Sequence, residues 1–263
     1  MPYADIGVNL TDKRFNDDRE AVLTRAREAD VQLMVLTGTD LDTSRDAVAL
    51  ADPGQQRYAT SGVHPHQASQ WNSAVRTELA ELSRHPAVRC IGETGLDFNR
   101  DFSPRPAQEQ AFADQLDLAA ARQLPVFLHQ RDAHSRFLGI LREHRDRIPQ
   151  VVVHCFTDTR EALYDYLDLG CFIGITGWIC DERRGQALQQ MVADIPAGQL
   201  LLETDAPYLL PRDLPGKPPI KGRNEPSLLP WIAERVARLR QQPLEQLAAQ
   251  CWRNTQTWLG LPE

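Results

Sequence analysis

VVVHCFTD, residues 151–158, sets three valines in front of a histidine and then turns polar. Consecutive β-branched residues favour an extended chain, and an apolar run without alternation suits a strand covered on both faces, as in a parallel sheet. A histidine closing such a run is either a satisfied core residue or a ligand held at the mouth of the sheet. The neighbouring segments bear on that choice. PVFLHQRD (125–132) repeats the pattern one unit earlier, and VRCIGETG (88–95) carries Glu93 near its end one unit before that.

Five further runs share this character: DIGVNL (5–10), VQLMVLTG (31–38), YATSGVHP (58–65), CFIGITGW (171–178) and LLLETDAP (200–207). Amphipathic stretches between them predict helices near 17–29, 41–51, 73–84, 105–123, 133–147, 160–169, 183–194 and 226–241, with another near 243–258. Thr159 is placed to cap the sixth helix and Gly170 to end it. Strand and helix alternating eight times is the pattern of an α/β TIM barrel, (β/α)8, and a doubly wound open sheet is the runner-up. No linker or low-complexity tract divides the chain, so residues 1–263 read as a single domain. The Pro-rich segment 209–226 reads as a long loop after the last strand, on the face where barrels carry their function.

Composition narrows the function. With 42% apolar and 25% charged residues the chain has the make-up of a soluble globular protein, and no apolar run approaches the roughly 20 residues of a membrane span. The start MPYADIGVN lacks the features of a signal peptide, which predicts a cytoplasmic protein. Cys90, Cys155, Cys171, Cys180 and Cys251 are scattered and form no CxxC, as expected of reduced core residues. A net charge of −7 argues against coating DNA or an anionic membrane with a whole basic face. A polyanionic substrate still fits where a metal or a local arginine supplies the positive field. There is no GxxxxGK[ST] loop, GxGxxG turn or GxSxG elbow, which leaves P-loop and serine hydrolase chemistry without support.

The predicted strands end in acid, base or metal-binding groups: His64 and His66, Glu93 and Asp97, His129, His154, Glu203 and Asp205. In a barrel these ends open on one face, so groups distant in sequence converge. Two imidazoles and a carboxylate on adjacent strands, His129, His154 and Glu93, form a set able to bind a divalent cation with positions left for water or substrate. Gly92 and Gly95 flank Glu93 and let backbone approach closely. Asp205 is placed to bind the metal or to deprotonate water, with a turn cap as its structural alternative. His64 reads as an active-site or substrate contact, and His66 joins it unless Pro65 turns it outward. Arg131 should share a face with His129 and hold a phosphate oxygen, the alternative being a surface ion pair. Asp97 suits an ordering role. Arg183 and Arg184 read as a phosphate clamp or an exposed first helical turn. His85, His134 and His144 read as solvated, and Trp252 and Trp258 as packing of the last helix.

Taken in order, GVHPH, IGETGLDF, FLHQRDA, VVHCFTD, GITGW and LLETDAPYLLP resemble the TatD family of metal-dependent deoxyribonucleases, over almost the whole chain from Asp5 to about Leu259. Further stretches, VNLT, ASQW, CDERRG and PYLLPRDL, are similar to the subgroup that gives the family its name. The resemblance implies a TIM barrel of the metal-dependent hydrolase superfamily and 3′→5′ exonuclease action on single-stranded DNA and RNA. It also implies a place in DNA repair or nucleic-acid turnover. By motif match it makes Glu93, His129 and His154 metal ligands, Asp205 the carboxylate that binds metal or activates water, and His64 an active-site histidine. It implies Mg²⁺, whereas histidine ligands favour Mn²⁺ or Zn²⁺. Most of the family carries His-x-His in the first strand; here Gly7 and Asn9 stand at those places, a departure the subgroup shares, which argues against a full second metal shell. The chain is expected to act as a monomer without a membrane partner. The rival readings are a metal-dependent hydrolase of amides or lactones and a noncatalytic nucleic-acid-binding barrel.

Overall fold

The computed structural model describes residues 1–262. Eight strands form one sheet in chain order: β1 (Tyr3–Val8), β2 (Val31–Leu36), β3 (Arg57–Ser61), β4 (Val88–Asp97), β5 (Val126–Arg131), β6 (Val151–Val153), β7 (Phe172–Ile175) and β8 (Leu200–Leu202). Each consecutive pair is parallel. The ring closes beyond β8, where Val8 bridges Ala206 in parallel sense. There Asn9 N and Asp205 N donate to Ala206 O and Gly7 O at 2.8 and 2.9 Å. Closure removes the sheet edges, so the fold is the barrel and not the open sheet.

The strands alternate with α1 (Arg19–Glu28), α2 (Leu41–Leu50), α3 (Ser73–Leu82), α4 (Arg105–Arg122), α5 (His134–His144), α6 (Arg160–Asp168), α7 (Gln186–Met191) and α8 (Leu229–Leu239), and α9 (Leu244–Leu259) follows. Thr159 Oγ1 caps α6 by accepting from Ala162 N at 3.2 Å, and Gly170, at φ 68°, follows its last turn. The helix expected over 183–194 is shorter, because Asp181 accepts from the Arg183 and Arg184 amides at 3.0 and 3.2 Å and diverts them from helical bonding. The histidines on α5 also differ from expectation. His144 is buried, its Nδ1 2.9 Å from Ile140 O, and His134 sits half-buried between Tyr166 and Asp165 at 2.9 Å from each.

Two apolar layers hold the barrel. Ile6, Leu33, Val35, Phe127, Val152 and Leu201 cluster with Trp258 and Leu259, while a larger cluster fills the space between strands and helices. Trp258, fully buried, donates from Nε1 to the carbonyl of Val126, the first residue of β5, at 3.3 Å. α9 therefore closes the amino-terminal end of the barrel and leaves the strand carboxyl ends as the open face. All five cysteines are unpaired, and no helix among the described residues is long and apolar enough to cross a membrane.

β6 and β8 stop three residues after they begin, earlier than the apolar runs suggested. Cys155 and Asp205 take positive φ values of 46° and 54°, so the chain leaves sheet geometry as it reaches the mouth. The long segment after β8 is tied back by a buried ionic cluster. Arg223 reaches Asp18 at 2.7 Å and Glu225 at 3.3 Å, and Arg25 reaches Glu225 at 2.7 Å.

Asp5 fastens the closure from inside. Fully buried in β1, it accepts from Thr204 N at 2.9 Å and Thr204 Oγ1 at 2.6 Å. Burial pushes its pKa up to about 8, against the pull of the Thr204 hydrogen bonds. A carboxyl that holds its proton more tightly folded than unfolded contributes its full stability below the unfolded pKa. That contribution is lost as pH rises toward the folded one. Asp5→Asn cannot ionise, so its stability relative to the parent should rise by about 1–3 kcal/mol between about pH 5 and 8.5. Denaturant midpoints measure this; parallel pH curves for the two proteins would show that Asp5 does not titrate on folding.

Candidate metal centre

Glu93 lies inside β4 at 5% exposure, and three imidazoles meet its Oε1: His154 Nε2 at 2.8 Å, His129 Nδ1 at 3.1 Å and His64 Nε2 at 3.2 Å. They arrive from different strand ends, His129 from within β5, His154 just past β6 and His64 in the turn after β3. The approach of β4 to β5 needs glycine. At Gly92 and Gly95, φ is 144° and 145°, and a Cβ would collide with the carbonyl oxygens of Phe127 and His129.

The carboxylates around each ring decide its protonation. His154 Nδ1 lies 3.3 Å from Glu203 Oε2 and its Nε2 lies 2.8 Å from Glu93 Oε1; both partners only accept, so the ring sits between them as an imidazolium that donates from both nitrogens. His129 presents Nδ1 to Glu93 Oε1 at 3.1 Å and Nε2 to Asp97 Oδ2 at 3.5 Å, the latter an ion-pair contact and not a hydrogen bond. A carboxylate behind the imidazole is how metal-binding histidines are oriented. His64 is the opposite case: its Nδ1 accepts the His66 amide at 3.0 Å, so Nε2 carries the proton and donates. Although donor atoms of His64, Glu93 and His129 lie within 4.8 Å of one another, His64 keeps its proton on the nitrogen that faces Glu93, whereas His129 and His154, backed by carboxylates, can release theirs to an arriving cation; Glu93, His129 and His154 are therefore the set that could hold one.

Electrostatics agree with that division. Burial alone would raise the Glu93 pKa, but the positive charge of His154 and the hydrogen bonds from the surrounding imidazoles hold it well below the usual range. Burial opposes protonation of His129 and His154 too, yet the carboxylates at Asp97, Glu93 and Glu203 raise both. Burial lowers His64 to about 4, despite Glu93, so it stays neutral. Protons on His129 and His154 thus supply the positive charge that a divalent cation would bring, and the donor set of one carboxylate and two backed imidazoles fits such an ion.

Asp205, past β8, is half-buried, and its Oδ1 accepts from Asn9 Nδ2 at 2.9 Å. Burial lifts its pKa to about 7, against the pull of His154, with Glu93 and Glu203 adding to the rise. His66 does not turn away from the site. Its Nε2 is 2.7 Å from Asp97 Oδ2, and its ring stands edge-on to His64 at 4.3 Å. Arg131 is exposed at the end of β5 and makes no ion pair among the described residues. Asp181 holds Arg184 and Arg212 by ion pairs of 2.8 and 3.1 Å, and Arg184 lies over the Trp178 ring, so that cluster orders two mouth loops.

Two positioning residues were not given roles by their sequence. Glu203 is fully buried and accepts from Cys155 N at 2.5 Å as well as facing His154. Its room comes from Gly7, where a Cβ would fall 2.6 Å from Glu203 Oε2, and from Gly174. The available signal was the one used for His154, a polar group directly after three apolar β-strand residues. Asn9 is the other, and only the closure of β1 onto the chain after β8 brings it to Asp205.

A profile of the family described as "TatD related DNase" matches residues 4–260. The chain is 51% identical over 257 residues to a protein of Klebsiella pneumoniae named 3′-5′ ssDNA/RNA exonuclease TatD, covering 98% of this chain and 97% of that one. It is 52% identical over 261 residues to the Citrobacter koseri protein of the same name, covering 98% of each. Among solved structures, YJJV, a TatD homologue from Escherichia coli K12, superposes with a TM-score of 0.89 at 29% identity, covering 99% of this chain and 98% of that one.

With Glu93, His129 and His154 as ligands, Mn²⁺ added to chelator-treated protein should raise its stability by about 2.7 kcal/mol at a hundredfold excess over Kd. Because the ion displaces protons from His129 and His154, its affinity should increase as pH rises from about 6 to 8. Glu93→Gln should abolish the response in a thermal melt. A melt that still responds in this variant would place the ion elsewhere.

Proposed function

The chain belongs to the TatD-related DNase family and is a hydrolase of nucleic acids, and from that premise we propose that it is a metal-dependent 3′→5′ exonuclease of single-stranded DNA and RNA. The observation that carries this reading is the convergence of Glu93, His129 and His154 at one point, with Asp205 beside them and His64 as a neutral donor. A divalent cation held by Glu93, His129 and His154 would polarise a phosphate oxygen and lower the pKa of bound water. Mg²⁺ is the ion the family suggests, and the two imidazoles also suit Mn²⁺ or Zn²⁺.

The side chains then divide the work. With Oδ1 engaged by Asn9, Asp205 offers Oδ2 to the attacking water and takes its proton, and a pKa near 7 suits a general base at neutral pH. His64 directs its Nε2–H toward Glu93 Oε1 and, once a phosphate enters, toward the charge developing on its oxygens. Glu203 and Asp97 fix the rings of His154 and His129. Arg131, unpaired at the rim, reaches a phosphate oxygen of the strand, and His66 lines the same wall. These groups converge within one barrel, the arrangement of an enzyme built as a single domain, and we read it as a monomer. The five unpaired cysteines fit a reducing cytoplasm. A role in DNA repair or nucleic-acid turnover follows from the proposed substrate.

A single-stranded oligonucleotide labelled at its 5′ end, incubated with Mg²⁺, Mn²⁺ or chelator, should shorten from its 3′ end only when metal is present. Glu93→Gln and His154→Ala should lower kcat by at least about a thousandfold, and an intact oligonucleotide with every metal would overturn the proposal. Asn9→Ala removes a hydrogen bond that favours ionised Asp205. The acid limb of the kcat/KM profile should therefore move up by about one pH unit, and an unmoved limb would separate Asp205 from proton transfer.

A further inference from the structure

We propose that Phe102 is a stacking platform for the nucleobase next to the scissile phosphate, with Arg100 and Arg131 beside it as backbone contacts. This rests on the nuclease reading and adds the feature by which a single strand is held. Phe102 is the most exposed large apolar residue of the protein, at 66%, on the loop that follows β4. Exposure of one phenylalanine means little alone. Here three independent observations give it a use.

The loop is bolted down on both sides of the ring. Ser103, buried, donates to His66 O at 2.9 Å and accepts from Ser69 N at 3.0 Å. Gln108, fully buried in α4, donates to Ser103 O at 2.8 Å and accepts from Asp97 N at 2.9 Å. Asp97 Oδ1 in turn accepts from the Asn99 and Arg100 amides at 3.0 and 2.9 Å. The aromatic ring is therefore held outward by a fixed backbone.

The ring also continues into the metal centre. Phe102 packs edge-on against His66 at 4.7 Å between centroids, His66 against His64 at 4.3 Å, and His64 against His129 at 4.6 Å. Two ring contacts thus separate Phe102 from the histidine that touches Glu93, a separation on the scale of one nucleotide. Finally, the charges beside it are available. Arg100 and Arg131 are exposed and make no ion pair among the described residues. The loops that carry them are joined through Phe98 N to Arg131 O at 2.9 Å and Asn99 Nδ2 to Asp132 at 2.7 Å.

A rigid aromatic face flanked by free cations is how proteins hold single strands without reading sequence, since every base presents a π-face. Bases inside a duplex already stack on their neighbours, so the same platform disfavours double-stranded ends. Stacking of a base on an aromatic residue is worth about 1–3 kcal/mol, or about 5- to 100-fold in kcat/KM.

The test uses single-stranded oligonucleotides with an ordinary base or an abasic tetrahydrofuran residue at the last or the next-to-last position. At one of these positions the parent should lose about tenfold in kcat/KM on the abasic substrate. Phe102→Ala should cleave ordinary and abasic substrates alike, at the parent's abasic rate, and Phe102→Trp should keep the parent's preference. With chelator present to prevent cleavage, 2-aminopurine at that position should be quenched on binding to the parent and to Phe102→Trp but not to Phe102→Ala. An unchanged melting temperature would show that Phe102→Ala is folded. Retention of the parent's preference and quenching by Phe102→Ala overturns the platform and leaves the nuclease reading standing. A parent that cleaves no oligonucleotide overturns both.

Discussion

A carboxylate buried under three imidazoles organises this barrel mouth. Glu93 cannot ionise inside a protein without compensation, so the rings around it must bring protons or make way for a positive ion. Two rings can hold the extra proton because carboxylates stand behind them: Glu203 behind His154 and Asp97 behind His129. The third is resolved by the His66 amide, which fixes His64 as a neutral donor. Each outer contact therefore sets what its ring can do, and the carboxylate with its two backed imidazoles forms a donor set that fits a divalent cation.

That constraint reaches into the fold. Glu203 reaches His154 only because β1 and β7 present glycines at Gly7 and Gly174, where any side chain would meet its carboxylate. Asp97 is held by Gln108 of α4, and Asp205 by Asn9 of β1, so helix packing and barrel closure both end at the site. The closure is itself reinforced by a buried carboxyl, Asp5, on Thr204, one residue from Asp205. The amino-terminal end of the barrel, plugged by Trp258, carries apolar packing instead. Chemistry and stability are thus divided between the two ends, as the tilt and closure of the strands require.

Most of the barrel was legible in the sequence because each strand is an unbroken apolar run, and the groups at the ends of those runs are the ones the structure draws together. Where reading by pattern fell short, a side chain had competed with the backbone. β6 and β8 end early because the chain turns to positive φ at Cys155 and Asp205, and α7 is short because Asp181 captures two amides. His144 was read as solvated from its charged neighbours, although helical periodicity places it on the buried side of α5. Ring protonation was beyond the sequence altogether. It depends on Glu203, Asp97 and a backbone amide arriving from three separate units, and no local spacing encodes that.

The first strand shows what such long-range placement changes. By resemblance, Gly7 and Asn9 stand where most of the family has two histidines, and from the sequence alone they look like losses. In the fold each has work: Gly7 leaves space for the Glu203 carboxylate that orients His154, and Asn9 donates to Asp205 Oδ1. A histidine at position 7 would press on Glu203, and one at position 9 would replace the amide that donates to Asp205. The end of β1 is therefore committed to placing two carboxylates beside the imidazoles gathered at Glu93 on β4. Asp205 has Oδ1 held by Asn9, and Oδ2 is the oxygen that the proposed mechanism turns to water.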